Sequence, residues 1–206
     1  MEKKKIFLAS SSELKADRME FENFINRRNK SWIDNGIFLE LIIWEDFLDV
    51  MSQTRLQDEY NKAIRECDLF VMLFCTKVGK YTEEEFEAAF HEFKDSNKPF
   101  ILIYFKDSEI TTGTANKKDL MSLWAFQEKM DQLGHFYTVY KNIEGLREHF
   151  GNQLDKLVAN GFIKFENRSD DKKKDAGIQI IKSKNVNTGT IKASGNVIFG
   201  DNNSTK

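Results

Sequence analysis

Short runs of Ile, Phe, Val and Leu, separated by longer amphipathic stretches, predict an α/β protein whose parallel sheet is covered by helices on both faces. The alternation repeats five times. With right-handed crossovers, the order βαβαβαβαβα makes a flavodoxin-like five-stranded sheet the most economical topology. A chain of 206 residues with 18 Phe and 3 Trp has the apolar material for one ordinary domain and too little length for two.

The first run is Lys5 to Ala9. After it, Leu14, Phe21, Ile25 and Trp32 recur at helical spacing and mark one buried stripe. The second run, Ile37 to Ile43, precedes a stripe of Leu56, Tyr60, Ala63, Ile64 and Cys67. The third, Leu69 to Phe74, is followed by Phe86, Ala89, Phe90 and Phe93, again on one helix face. The fourth run is Phe100 to Tyr104, and the segment Lys117 to Leu133 after it carries Leu120, Leu123, Trp124 and Met130, a helix of the fourth crossover. Phe136 to Tyr140 makes the fifth strand, and Leu146, Phe150, Leu154 and Leu157 the last helical stripe.

Composition removes several function classes. With 31 basic and 33 acidic residues the formal net charge is -2, so no global basic field draws nucleic acid or anionic lipid. Cys67 and Cys75 fall in apolar stretches, which suits buried thiols in a reducing compartment and supports no metal site. The start, MEKKKIFLASSS, is too short in apolar residues for a signal-peptide core. No run reaches the roughly 20 apolar residues of a membrane helix. A cytoplasmic protein with no membrane or nucleic-acid partner is expected.

In an open parallel sheet, ligands bind beyond the carboxyl ends of the strands. Ser10, Ser11 and Ser12 follow the first strand at the start of a helix, where hydroxyls and backbone N–H groups suit phosphate oxygens. The plainer alternative is that Ser12 caps the helix and Glu13 complements its dipole. Trp44, at the end of the second strand, either stacks on a base or closes the core. After the third strand comes GKYTEEEFEAAF, residues 79 to 90. Thr82 as N-cap and Glu85 at N3 would make a capping box. The alternative reading places the carboxylate beneath a ribose, where it stabilises an oxocarbenium ion as an N-glycosidic bond breaks.

The opening KIFLASSSE, the WEDF segment and above all YTEEEFEAAF resemble bacterial TIR (Toll/interleukin-1 receptor) domains, over roughly Lys4 to Phe162. In that family the helix after the third strand starts with a Glu followed by an apolar residue and then small residues, and the Glu makes the domain an NAD-cleaving enzyme. Here it maps onto Glu85, followed by Phe86 and Ala89, with Glu84 as rival. Ser10, Ser11, Ser12, Trp44 and Tyr81, beyond the carboxyl ends of the strands, are the substrate-binding candidates, and the resemblance makes Trp44 to Gln53 the loop that mediates assembly and gates the pocket. The Ser-Trp-Cys approach of plant and animal TIR domains is replaced by Gly79 to Thr82. NAD+ is implied as substrate, with no cofactor and no metal, and nicotinamide and ADP-ribose or a cyclic form as products.

Past Phe165 the composition changes. Residues 1–165 read as the TIR-like catalytic domain, 166–175 as a charged linker, and 176–206 as an assembly segment rich in Gly, Asn, Ser and Thr. Its β-branched residues, few charges and lack of proline match stacked cross-β segments, which are disordered in a monomer. VIFGDNN resembles the RIP homotypic interaction motif, with Val197, Phe199, Gly200 and Asn203 in its places and Ile198 where Gln is usual. NTGTIKASGNVIFGD is similar to bacterial amyloid signalling motifs related to the fungal HET-s prion segment. Both imply self-assembly templated by an upstream receptor with a like motif, as in bacterial antiphage signalling that ends in cell suicide. Two other readings are a nucleoside deoxyribosyltransferase-like enzyme, which leaves the tail without a role, and a non-catalytic TIR adaptor.

Overall fold

The third strand, β3 (Leu69–Phe74), is the axis of the fold, because all six of its residues are buried. A strand apolar on both faces must lie inside a sheet with a helical layer on either side. The computed structural model describes residues 1–43, 56–111, 113 and 115–166, with residues 56, 57, 80 and 81 described by their backbone alone. β3 pairs with β1 (Glu2–Ser10) on one side and β4 (Phe100–Lys106) on the other. β2 (Ile37–Ile43) and β5 (Thr138–Tyr140) complete a five-stranded parallel sheet in the order β2-β1-β3-β4-β5. This is the expected flavodoxin-like arrangement.

The pleat sorts alternate residues into two cores. Ile6, Leu8, Leu69, Val71 and Leu73 face α1 (Lys15–Trp32) and α5 (Ile143–Ala159). Phe7, Ala9, Phe70, Met72 and Phe74 face α2 (Leu56–Glu66), α3 (Lys80–Ser96) and α4 (Lys117–Gln132). Aromatic contacts knit each layer: Phe21 of α1 meets Phe150 of α5 with ring centroids 4.7 Å apart, and Phe74 lies between Phe105 at 5.2 Å and Phe126 at 5.0 Å. Cys67 is a buried free thiol, pushed up to about 12 mainly by burial. Cys75 is a free thiol only half buried. Among the described residues no helix is long and apolar enough to cross a membrane.

β1 and β4 run longer than the expected Lys5–Ala9 and Phe100–Tyr104, and β5 and α4 differ in which residues they bury. β5 begins at Thr138, and Phe136, expected in that strand, is 97% exposed. The residues after α4 are spent on a turn: Gly134 adopts φ +67°, and the His135 N–H returns to the Met130 carbonyl at 2.9 Å. On α4 itself the buried positions are Leu123, Phe126 and Met130, spaced i, i+3, i+7, whereas Trp124 is 60% exposed.

Two contacts fasten the β2 side. Asn29, buried on α1, accepts the Leu39 N–H at 2.8 Å and donates its amide to the Leu39 carbonyl at 2.9 Å. Both groups of Leu39 therefore point away from β1, since N–H and C=O of one strand residue share a side. Gly36, in the turn before β2, has φ +79°, and a Cβ there would meet the Glu166 side chain at 2.4 Å. Glu166 is tied down in turn, its N–H donating to the Asn35 carbonyl at 2.9 Å and its carboxylate accepting from the Met1 amino group at 3.1 Å. Removing the Asn29 amide leaves a buried donor and acceptor unsatisfied, at about 1 to 3 kcal/mol for the loss. Asn29→Ala is accordingly expected to lower the urea midpoint by an amount equivalent to about 2 to 3 kcal/mol without changing the slope of the transition.

Candidate active site

Beyond the carboxyl end of β1 the chain makes a tight polar turn. Arg18, buried on α1, donates to the Ser10 hydroxyl at 2.8 Å and to the Ser11 carbonyl at 2.9 Å. The short 3-10 turn Ser12–Leu14 follows, with Ser11 at its N-cap and no side-chain cap bond. Ser12 therefore does not cap the helix. The Ser11 hydroxyl donates instead to Glu13 at 2.9 Å. Glu13 is not simply a first-turn charge either, since it crosses to the loop after β3, accepting the Thr76 N–H at 3.0 Å and the Thr76 hydroxyl at 2.7 Å. Those bonds hold its carboxyl below the usual range even though partial burial acts to raise it.

A second cluster joins the ends of β4 and β5 to α1. Asp17, 6% exposed, accepts from Lys106 at 2.8 Å and from the Tyr140 hydroxyl at 2.7 Å. Burial, and then the neighbouring Asp17 carboxylate, push the Tyr140 phenol well above its ordinary value. Asp17, Arg18, Lys106 and Tyr140 were not among the predicted site residues. The signal was present on α1, where Asp17 and Arg18 sit i+3 and i+4 from Leu14 and so interrupt an apolar stripe with charge.

The predicted capping box does not form. α3 starts at Lys80 with Gly79 as an extended N-cap, and the Gly79 carbonyl accepts the Glu83 N–H at 3.3 Å. Helix formation begins earlier than Thr82, with the Gly79 carbonyl closing an extra turn. Thr82 and Glu85 are thereby carried into the helix, where both are 8% exposed. Glu85 is thus a buried carboxylate with no end-capping role.

Its neighbours separate by direction. Glu83 and Glu87 face α4, where both reach Lys129. Glu84 faces α2 and accepts from Asn61 at 3.1 Å. Phe86 and Ala89 are fully buried against the sheet. Helical periodicity sets Glu85 between the α2 side and the sheet. Among the described residues it has no hydrogen-bond or ion-pair partner. Burial, reinforced by the Glu84 charge, raises its carboxyl from 4.5 to about 7. A desolvated carboxylate of this kind gains most from a cation brought against it.

A cleft of about 310 Å³ opens at the ends of β3 and β4, lined among others by Thr76, Glu109, Ile110, Asn116, Asp119 and Leu120. Glu85 does not line it. Among the described residues no cluster of His, Cys, Asp and Glu has the arrangement of a metal site. Trp44, the side chain of Tyr81 and the tail positions Val197, Phe199, Gly200 and Asn203 lie outside what the structure describes.

Strand order, a polar edge at the carboxyl ends and a carboxylate on the helix after β3 define a flavodoxin-like α/β domain with a candidate active site. Residues 39–134 match the family model described as TIR domain, a stretch that takes in β2 through α4 and both Glu84 and Glu85. Comparison with curated proteins finds no match. Among solved structures, the chain is similar to the CMP N-glycosidase BcmB of Clostridium botulinum, at 15% identity, 72% of this chain, 99% of that one and a TM-score of 0.44. It is also similar to a conserved protein from Enterococcus faecalis V583, at 14% identity, 74% of this chain, 99% of that one and a TM-score of 0.43. The RPS4 and RRS1 TIR domain heterodimer is similar at 12% identity, over 79% of this chain and 100% of that one, with a TM-score of 0.43.

The raised Glu85 carboxyl has a consequence for stability. The folded protein keeps a proton that the unfolded chain releases between pH 4.5 and about 7, so Glu85 costs nothing below 4.5, and its penalty grows through that window and is complete above it. At about 1.4 kcal/mol per unit, the full penalty is about 3 kcal/mol. Glu85→Gln is expected to unfold at higher urea than the parent at pH 8, with the difference vanishing near pH 4, as measured by urea titration at both values.

Proposed function

We propose that the chain is an NAD+ glycohydrolase in which Glu85 stabilises the cation formed when nicotinamide leaves. The observation that carries this reading is a buried carboxylate on the helix after β3, inside the TIR match and without a hydrogen-bond or ion-pair partner among the described residues. Glu84, half buried and bonded to Asn61, suits that role less well.

In NAD+ the nicotinamide nitrogen is already positive. When the C1′–N bond breaks, the electron pair goes to the nicotinamide, which departs neutral and needs no general acid. Positive charge then spreads over C1′ and the ring oxygen, and an ionised Glu85 in a dry setting stabilises it. Water adding to C1′ gives ADP-ribose and a proton, and a nucleophile within the substrate gives a cyclic product. Ser10 and Ser11, at the end of β1, are the groups on the described loops proposed to meet the substrate's phosphates, with Ser12, Trp44 and Tyr81 completing the set. NAD+ is substrate, and the proposed chemistry draws on no cofactor or metal.

The same reading assigns residues 176–206 to activation. Stacking through Val197, Phe199, Gly200 and Asn203, seeded by an upstream receptor with a like motif, would gather TIR domains in a bacterial immune response. A stacked segment repeats each side chain about every 4.8 Å, so a charge introduced there repels its copies.

Purified full-length protein incubated with NAD+ should release nicotinamide, and Glu85→Gln should lower kcat/KM by about 10² to 10³. Since the ionised carboxylate acts, kcat/KM should rise with pH through about 7. An inert parent protein, or a Glu85→Gln variant with parental activity, overturns the assignment. For the tail, Phe199→Asp is expected to keep the protein dispersed in sedimentation and reduce its activity at equal concentration. Unchanged sedimentation and activity remove the tail from the mechanism.

A further inference from the structure

The loop between β3 and α3, Cys75 to Gly79, is gripped from two sides. On one side the two oxygens of Glu13 divide the Thr76 donors between them, Oε1 taking the N–H at 3.0 Å and Oε2 the hydroxyl at 2.7 Å. On the other, the Val78 N–H donates to the Ser122 hydroxyl of α4 at 3.1 Å, and that hydroxyl donates to the Asp119 carbonyl at 2.6 Å. The two grips are unequal in origin. Ser122 belongs to a packed helix, whereas Glu13 hangs on a turn that is itself held by the two bonds of Arg18 to Ser10 and Ser11. Glu13 also receives the Ser11 hydroxyl, so three donors converge on one carboxylate that joins sequence positions 63 residues apart.

We infer that Glu13 is a positioning residue for Glu85. Thr76 lies three residues ahead of the Gly79 cap, and α3 runs without interruption from Lys80 through Glu85. At 1.5 Å of rise per residue Glu85 sits only about 7 to 8 Å along the helix from its start, close enough for a shift of the loop to reach it, damped by the Val78 bond to Ser122 that stands between Thr76 and the cap. Glu13 touches neither Glu85 nor any group of α3. It acts by fixing the point from which the helix departs, and so the depth at which Glu85 is buried. The inference rests on Glu85 being the acting group.

The test uses full-length protein and four variants: Glu13→Ala, Glu13→Gln, Thr76→Val and Glu85→Gln. Glu13→Ala is expected to lower kcat for nicotinamide release about tenfold to a hundredfold, the range for a misplacement near 1 Å, while KM changes less than threefold. Loosening the helix start admits water to Glu85, so the midpoint of the pH profile should move down from its parental value. Glu13→Gln should recover most of the activity, since its amide accepts the Thr76 N–H and donates to the hydroxyl. Thr76→Val, which removes one hydroxyl, should show the same direction with smaller size and serves if Glu13→Ala does not fold.

The carboxyl titration of Glu85, followed by carbon NMR in parent and Glu13→Ala or Thr76→Val, reads the same displacement without turnover. An unmoved Glu85 titration overturns the inference whether or not the protein cleaves NAD+. If the parent is active, Glu85→Gln is inactive and Glu13→Ala matches the parent in rate and midpoint, the inference falls and the proposed function stands. If the parent is inert and the titration moves, the proposed function falls and the coupling of Glu13 to Glu85 stands.

Discussion

The constraint on which the structure depends is the double burial of β3. Six consecutive residues without contact to water require a helical layer on each face, and the layer formed by α2, α3 and α4 must cover Phe70, Met72 and Phe74. α3 does this with Phe86 and Ala89. Glu85 lies on the same side of α3 as Thr82 and Ala89 and is buried with them, whereas Glu87, the other carboxylate next to Phe86, turns toward α4 and stays exposed. The desolvation of Glu85 is thus a by-product of covering the central strand, and the fold supplies a perturbed carboxyl without a dedicated apolar pocket.

At the carboxyl ends of the strands the opposite logic holds. Lys106 and Tyr140 end β4 and β5, and Asp17 collects both, so strands that belong to different crossovers finish in one hydrogen-bonded cluster. Removing one member of such a buried set would strand the others. Arg18, beside Asp17 in the chain, looks the other way to Ser10 and Ser11. One turn of α1 therefore organises both the β1 loop and the β4 and β5 ends.

Sequence patterning revealed the layers well and the edge poorly. β2 and β3 were legible to the residue, because each is a compact run dominated by Ile, Leu, Phe, Val and Met, opened by Gly36 before β2 and by Asp68 before β3. β5 was not, because Phe136 mimics a strand residue and only the return of His135 to Met130 makes it part of a turn. Trp124 and Phe126 both look like core residues on a helix, and the phase of α4, set by Leu123 and Met130, buries the second alone. Glu85 stood out by its place beside an apolar seam, yet its lack of a cap role became visible only once α3 was seen to begin at Lys80. The Glu13 bridge had no local signal at all, since its partner is remote in sequence and any exposed Glu in a first turn looks like a dipole charge.

The pairing of Asn29 with Leu39 reaches beyond stability. Among the described strands β2 is an outer one, and its side away from β1 is where a further strand would dock to lengthen the sheet. At Leu39 the donor and the acceptor needed for that docking are already occupied by one side-chain amide. The sheet is thereby closed to growth through the middle of this edge. In a chain whose composition from residue 176 onward suits stacking between molecules, such a block sets this edge of the folded sheet apart from that second kind of β-structure.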